Sequence, residues 1–182
     1  SEIIADESIE TSDPCEYNFL SLLDTEFEQN TKVETLGVYD STWVVGEESV
    51  YGYNVKLWKV DETVIGFMNH YYGGPEPYQS GPIISGMMGD NGKTEFTAYL
   101  KLSKGYSDWS ASDPIIMDFV GDLSADGLKG SLENYNCVKD KSDIDMARSI
   151  HLLEYDMWGD LEEFENIQAW KNAFEYELNM TD

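Results

Sequence analysis

A chain of 182 residues and 20.7 kDa, with 41% hydrophobic and 13% aromatic residues, is sized for one domain with a substantial core. Its formal net charge is −25, from 36 Asp plus Glu against 11 Lys plus Arg, and such a surface repels nucleic-acid phosphates and anionic lipid. No apolar run approaches the roughly 18 residues that span a bilayer, so neither a nucleic-acid partner nor membrane insertion is expected.

The acidity is evenly spread: residues 1–35 carry −9, residues 36–138 carry −8 and residues 139–182 carry −8. No single acidic tail accounts for it. A uniformly charged surface reads first as a device for solubility or salt adaptation, and second as a surface that steers a basic protein.

In chain order, residues 1–12 form an acidic N-terminal segment. Ser1 to Asp13 holds five acids and no base, unlike the basic start of a secretory signal, so any signal is expected to be already removed or never present. A helix is expected over 13–30, most clearly 14–29. Asp13 serves as N-cap, Pro14 occupies the first helical position, Glu16 completes a capping box, and Phe19, Leu20, Leu23 and Phe27 share one face.

The pattern then turns to strands. Residues 36–137 read as a β-meander with seven candidates near 37–45, 50–60, 63–72, 81–88, 93–102, 114–121 and 127–135. Alternation is cleanest in the fifth, where Thr94, Phe96, Ala98, Leu100 and Leu102 oppose Lys93, Glu95 and Lys101. The seventh sets Leu128 and Leu132 against Lys129, Ser131 and Glu133, whereas the second and third are aromatic on both faces. Val60–Thr63, Gly89–Gly92 and Leu123–Gly127 have the chemistry of tight hairpin turns. The alternate links, at 46–49, 73–80 and 103–113, are mostly longer and carry aromatic residues. In an up-and-down meander these two kinds of link lie at opposite ends, which makes a cup with one pinched end and one loop-rich end.

Residues 143–182 form a C-terminal helical region. Asp160–Glu163 reads as a second capping box, and Phe164, Ile167, Trp170, Phe174 and Leu178 mark one apolar face of a helix near 160–178. Residues 143–157 read either as helix or as an eighth strand around Ile150 to Tyr155. The fold class is therefore mainly β: an antiparallel up-and-down meander or barrel of 7–8 strands with an N-terminal and a C-terminal helix, in a single domain.

Gly37-Val38-Tyr39-Asp40-Ser41-Thr42-Trp43 resembles the opening of lipocalin-like (calycin) barrels, a glycine followed by an aromatic residue after a short helical entry. The order of helix, meander and C-terminal helix is similar too, and the resemblance covers residues 13–178. It implies an interior cavity opening at the loop-rich end. Tyr39 stands where lipocalins carry Trp, and Arg148, the one arginine, is the sole counterpart of their arginine near the final strand.

Few motifs point to chemistry. Asp122, Ser124, Asp126, Gly127 and Glu133 have EF-hand calcium-loop spacing, but they lie between two strand patterns, where a β-hairpin turn explains the same residues. No cofactor is expected, with calcium the one candidate. His70 and His151 belong to no metal or catalytic motif and read as structural, and no nucleophile elbow or phosphate loop occurs, so catalysis has no support. Cys15 and Cys137 fit no metal spacing; they read either as a structural disulfide, the simplest use, which implies a periplasmic or extracellular location, or as two buried free thiols.

The remaining candidate site is aromatic. Tyr51, Tyr53, Tyr72, Tyr78, Tyr106 and Trp109 fall at or near the loop-rich end, together with Glu47, Glu48 and Glu76. Two functions follow. The first is a non-enzymatic binding barrel holding a small, partly apolar ligand at that end. The second is an acidic inhibitor or immunity-type protein gripping a basic partner through its aromatic loops. An enzyme of unknown type comes third. A cavity separates the first two, since small-molecule sites enclose about 300 Å³ or more.

Overall fold

The computed structural model describes residues 27–103, 115–135, 139–148 and 163–179. Nine strands form one antiparallel sheet: β1 (Glu34–Asp40), β2 (Trp43–Val45), β3 (Ser49–Val60), β4 (Thr63–Tyr72), β5 (Gln79–Met88), β6 (Lys93–Leu102), β7 (Ile115–Ser124), β8 (Gly127–Tyr135) and β9 (Lys139–Arg148). Each of β3 to β9 pairs with its sequence neighbour, while β1 pairs with both β3 and β9. The sheet thus curls into a nearly closed barrel, compatible with a calycin-like fold. Its seam is thin: β1 and β9 share only the pairs Tyr39–Arg148 and Asp40–Ala147.

The seven expected segments account for eight of the nine strands, with one refinement. The first candidate, 37–45, is two strands on the same side of β3, broken at Ser41–Thr42. Ser41 donates its backbone N–H to Tyr53 O at 2.9 Å, and the Asp40 carboxylate takes the Thr42 N–H at 2.6 Å, so the kink is held from both sides. The eighth strand of the ring comes at Lys139–Arg148, which corrects the helix reading of 143–157 over 143–148; the alternative strand around Ile150 to Tyr155 lies outside the described residues. Its sequence, KDKSDIDMAR, is poor in β-formers. It forms because Asp143 and Asp145 point to water while Met146 is fully buried, and because β8 supplies a complete ladder from Gly127–Ala147 to Tyr135–Lys139.

Period two decides which side chains fill the barrel. Val55, Leu57, Met68, Ile83, Phe96, Ala98, Leu100, Met117, Phe119, Leu128, Leu132 and Met146 face inward and are buried. Phe96 stacks on Phe119 at 4.9 Å across two strands. Bending a sheet this tightly requires close backbone approach. A Cβ on Gly66 would meet the Lys56 carbonyl oxygen at 1.8 Å, and one on Gly81 would meet the Tyr99 carbonyl oxygen at 1.7 Å, so neither position tolerates a side chain.

The outer face of β3 and β4 is buried as well, which is why their pattern has aromatics on both sides. Two short helices, α1 (Ile167–Ala173) and α2 (Glu175–Asn179), lie against it. Trp170 stacks on Phe67 at 5.7 Å and meets Trp58 edge-on at 5.9 Å, and Phe174 packs 4.8 Å from Phe67 and 5.3 Å from Trp58. The helix starts later than the Asp160–Glu163 box implies. Asn166 is the N-cap, its side chain accepting the Ala169 N–H at 2.9 Å, while Phe164 packs on Trp58 and Phe174 ahead of the first turn. Most of the expected N-terminal helix lies outside the described residues, and the described part of it, Phe27–Asn30, is coil leading into a turn.

Candidate functional site

The two ends of the barrel differ as the connections require. Asp61–Glu62, Gly89–Gly92 and Ala125–Asp126 close one end with tight turns, and Asp61, Gly92 and Gly127 carry the positive φ angles that such turns need. The links after β2 and β4 lie at the other end.

At that open rim the register stacks side chains in layers. Trp43, Tyr51 and Tyr72 are cross-strand partners on β2, β3 and β4 and form the outermost row. Trp43 stacks on Tyr51 at 5.9 Å with planes 20° apart, and Tyr51 meets Tyr72 edge-on at 6.0 Å. One step inward, Tyr53, His70 and Gln79 are partners on β3, β4 and β5. Tyr53 stacks on His70 at 4.6 Å, and His70 Nδ1 lies 3.0 Å from Gln79 Oε1. Tyr78 bridges the rows, 6.0 Å from Tyr72 and 6.4 Å from His70. The third row is Val55, Met68 and Gly81, where no surface of Val55 or Met68 remains exposed.

The rim is therefore a continuous aromatic ledge above the buried side chains of Val55 and Met68. Trp43 and Tyr72 stand out from it, 57% and 67% exposed. Burial lowers the pKa of His70 against the opposing effect of its hydrogen bond to Gln79, so the imidazole is held neutral. The β2–β3 and β4–β5 links beside the ledge are acidic, with Glu47, Glu48 and Glu76 exposed and no lysine or arginine in residues 33–55 or 60–92, while Lys101 on β6 sits opposite Ser80.

The chain matches no family profile, no curated protein and no solved structure. The site must be read from its own geometry.

Of the six aromatic residues expected at the loop end, Tyr51, Tyr53, Tyr72 and Tyr78 converge, and Tyr106 and Trp109 lie outside the described residues. Trp43 and His70 complete the ledge but do not stand out by residue type. Their signal is register: a hairpin turning at Asp61–Glu62 pairs Tyr53 with His70 and Tyr51 with Tyr72, and the 46–48 turn pairs Trp43 with Tyr51. Cys15 and Cys137 lie outside the described residues.

The calcium spacing is a hairpin. Ala125–Asp126 is a two-residue turn in which the Ser124 hydroxyl accepts the Asp126 N–H at 3.2 Å. Asp122 pairs with Lys129, and Glu133 pairs with Asp118, four residues further along the ladder. At roughly 3.4 Å per residue the first and twelfth positions are about 13 Å apart, too far to share one ion. No group of three or more His, Cys, Asp or Glu suited to a metal occurs among the described residues, and no helix there is long and apolar enough to cross a membrane.

Proposed function

We propose that this chain is a non-enzymatic binding protein that captures a basic partner protein with the aromatic ledge at the open rim of its barrel. The observation that carries the reading is the layering: the exposed rings of Trp43 and Tyr72 lead the rim, the Tyr53–His70–Gln79 row follows, and Val55 and Met68 beneath it have no exposed surface, so the largest exposed aromatic area faces outward. Aromatic anchors surrounded by polar residues are what protein interfaces are built from, and an acidic surround accelerates encounter with a basic protein. A lipocalin-type ligand cavity has less support, because the inward side chains of β3 to β9 already occupy the lower barrel.

Immobilised protein challenged with extract of the source cell tests this. A basic protein should be retained at about 50 mM salt, released as salt rises several-fold, and lost in a Trp43→Ala/Tyr72→Ala double variant. Retention indifferent to both salt and these substitutions would refute it. A second reading, a small planar ligand lying over Tyr53 and His70, draws on the polar His70–Gln79 pair at the ledge's inner edge. Calorimetric titration with small aromatic amines would reveal it as saturable heat lost in His70→Ala. A disulfide between Cys15 and Cys137, with the oxidising location it entails, belongs to the same proposal; masses that do not differ between reduced and unreduced, alkylated samples would remove it.

A further inference from the structure

β2 ends the sheet. It pairs with β3 alone, through Trp43–Tyr51, Val44–Val50 and Val45–Ser49. On its other side the ladder between β1 and β9 stops at Asp40–Ala147, and although β9 runs on from there back to Lys139, no strand among the described residues pairs with that edge of Trp43–Val45. All three residues are exposed. Proteins blunt a free edge with charge, proline, a bulge or a covering segment, and an uncovered apolar one is a template for another chain. Here the edge is Trp-Val-Val.

The direction of the backbone groups can be derived. In an antiparallel ladder the N–H and C=O of one residue point to the same side, and successive residues alternate. The Val50 carbonyl accepts from Gly73 N at 2.8 Å, on the β4 side, whereas the Tyr53 carbonyl accepts from Ser41 N at 2.9 Å, on the β1–β2 side. Val50 therefore turns away from β2, and Val44 opposite it turns away from β3. Trp43 and Val45 hold β2 in the sheet, while the Val44 N–H and C=O point out along the open edge. Glu47 and Glu48 flank that edge, both exposed, in the stretch 33–55 that carries no base.

We propose that β2 is a strand-addition site: an extended basic segment of the partner protein pairs with the edge at Val44, its lysines beside Glu47 and Glu48 and its apolar residues against Trp43 and Tyr51. The inference rests on the capture reading above and specifies how the partner is held. Main-chain pairing gives the affinity, and the acidic flank selects the sign of the incoming strand.

The test uses the full chain and two synthetic peptides of about ten residues, one alternating valine with lysine and one alternating valine with glutamate. The lysine peptide should bind, protect the Val44 amide from hydrogen exchange, and lose about tenfold in affinity against Val44→Pro. That substitution removes the outward N–H without removing a β2–β3 hydrogen bond, as an edge strand permits. The glutamate peptide should bind at least about tenfold more weakly. Equal affinity of the lysine peptide for parent and folded Val44→Pro, an unprotected Val44 amide, or no binding would overturn the inference. Should Val44→Pro fail to fold, a lysine peptide N-methylated at alternate residues replaces it, and undiminished binding of that peptide counts equally against strand addition. Salt-sensitive capture of a basic protein that persists through those failures leaves the aromatic ledge standing, whereas loss of capture as well removes both.

Discussion

Asn69 is buried on the outer face of the barrel, where its side-chain amide donates to Asn54 Oδ1 at 2.8 Å and its oxygen accepts the Ser80 hydroxyl at 2.8 Å. Three strands are cross-linked by these two bonds. Truncating the middle residue strands Asn54 without water, so Asn69→Ala should lower the unfolding free energy in denaturant by about 1–3 kcal/mol. His70 gives a pH signature of known sign. Its folded pKa lies below the ordinary 6.5 because burial outweighs the Gln79 hydrogen bond. The unfolded chain therefore binds the extra proton first, and stability that is full above about pH 6.5 declines as pH falls below it. Melting temperature should accordingly fall between pH 7 and pH 5 in the parent relative to His70→Gln, a comparison that cancels the many carboxylates common to both. Nothing in the type or spacing of His70 marks it in the sequence. It becomes conspicuous only when the Asp61–Glu62 turn sets it opposite Tyr53, and a one-residue slip in that turn would send both to the outer face.

At the scale of elements, most strands and turns were legible because binary patterning and turn chemistry agree, as in β6, where Thr94, Phe96, Ala98 and Leu100 are buried between exposed Lys93 and Glu95. What was not legible depends on tertiary partners. β9 looks too charged to be a strand until β8 offers a ladder. β3 and β4 cannot be oriented from sequence because the C-terminal helix covers their outer side. That covering makes a direct prediction. Trp170 is fully buried against Trp58 and Phe67, yet among the described residues its indole N–H has no hydrogen-bond partner. Trp170→Ala should cost about 3–5 kcal/mol by opening a cavity, whereas Trp170→Phe, which also deletes the unsatisfied donor, should cost clearly less. Denaturant midpoints of the two variants measure the difference, and equal losses would argue against helix docking at this face. Gly66→Ala tests the barrel wall in the same way: a methyl 1.8 Å from the Lys56 oxygen has no room, so the variant should fold poorly or not at all, as circular dichroism would report.

For the whole molecule, the net charge of −25 has few internal consequences. Among the described residues no Asp or Glu is buried, and the pairs Lys59–Glu34 at 3.7 Å and Lys129–Asp145 at 3.8 Å each have an exposed carboxylate and small energetic weight. The meaning of the charge comes from position. Strand β2, β3 up to Val55, β4 and the β4–β5 link carry no lysine or arginine beside the aromatic ledge, while Lys101 on β6 and Lys139 on β9 lie at the same end, where the largest exposed rings and the open β2 edge coincide. The pinched end, made of Asp61–Glu62, Gly89–Gly92 and Ala125–Asp126, serves as the internal control for any binding measurement. The most direct one is hydrogen–deuterium exchange of this chain alone and with the basic protein it retains at low salt. The account predicts protection concentrated in residues 42–53 and 70–79, with the three tight turns unchanged; protection centred on those turns, or none at all, would contradict it.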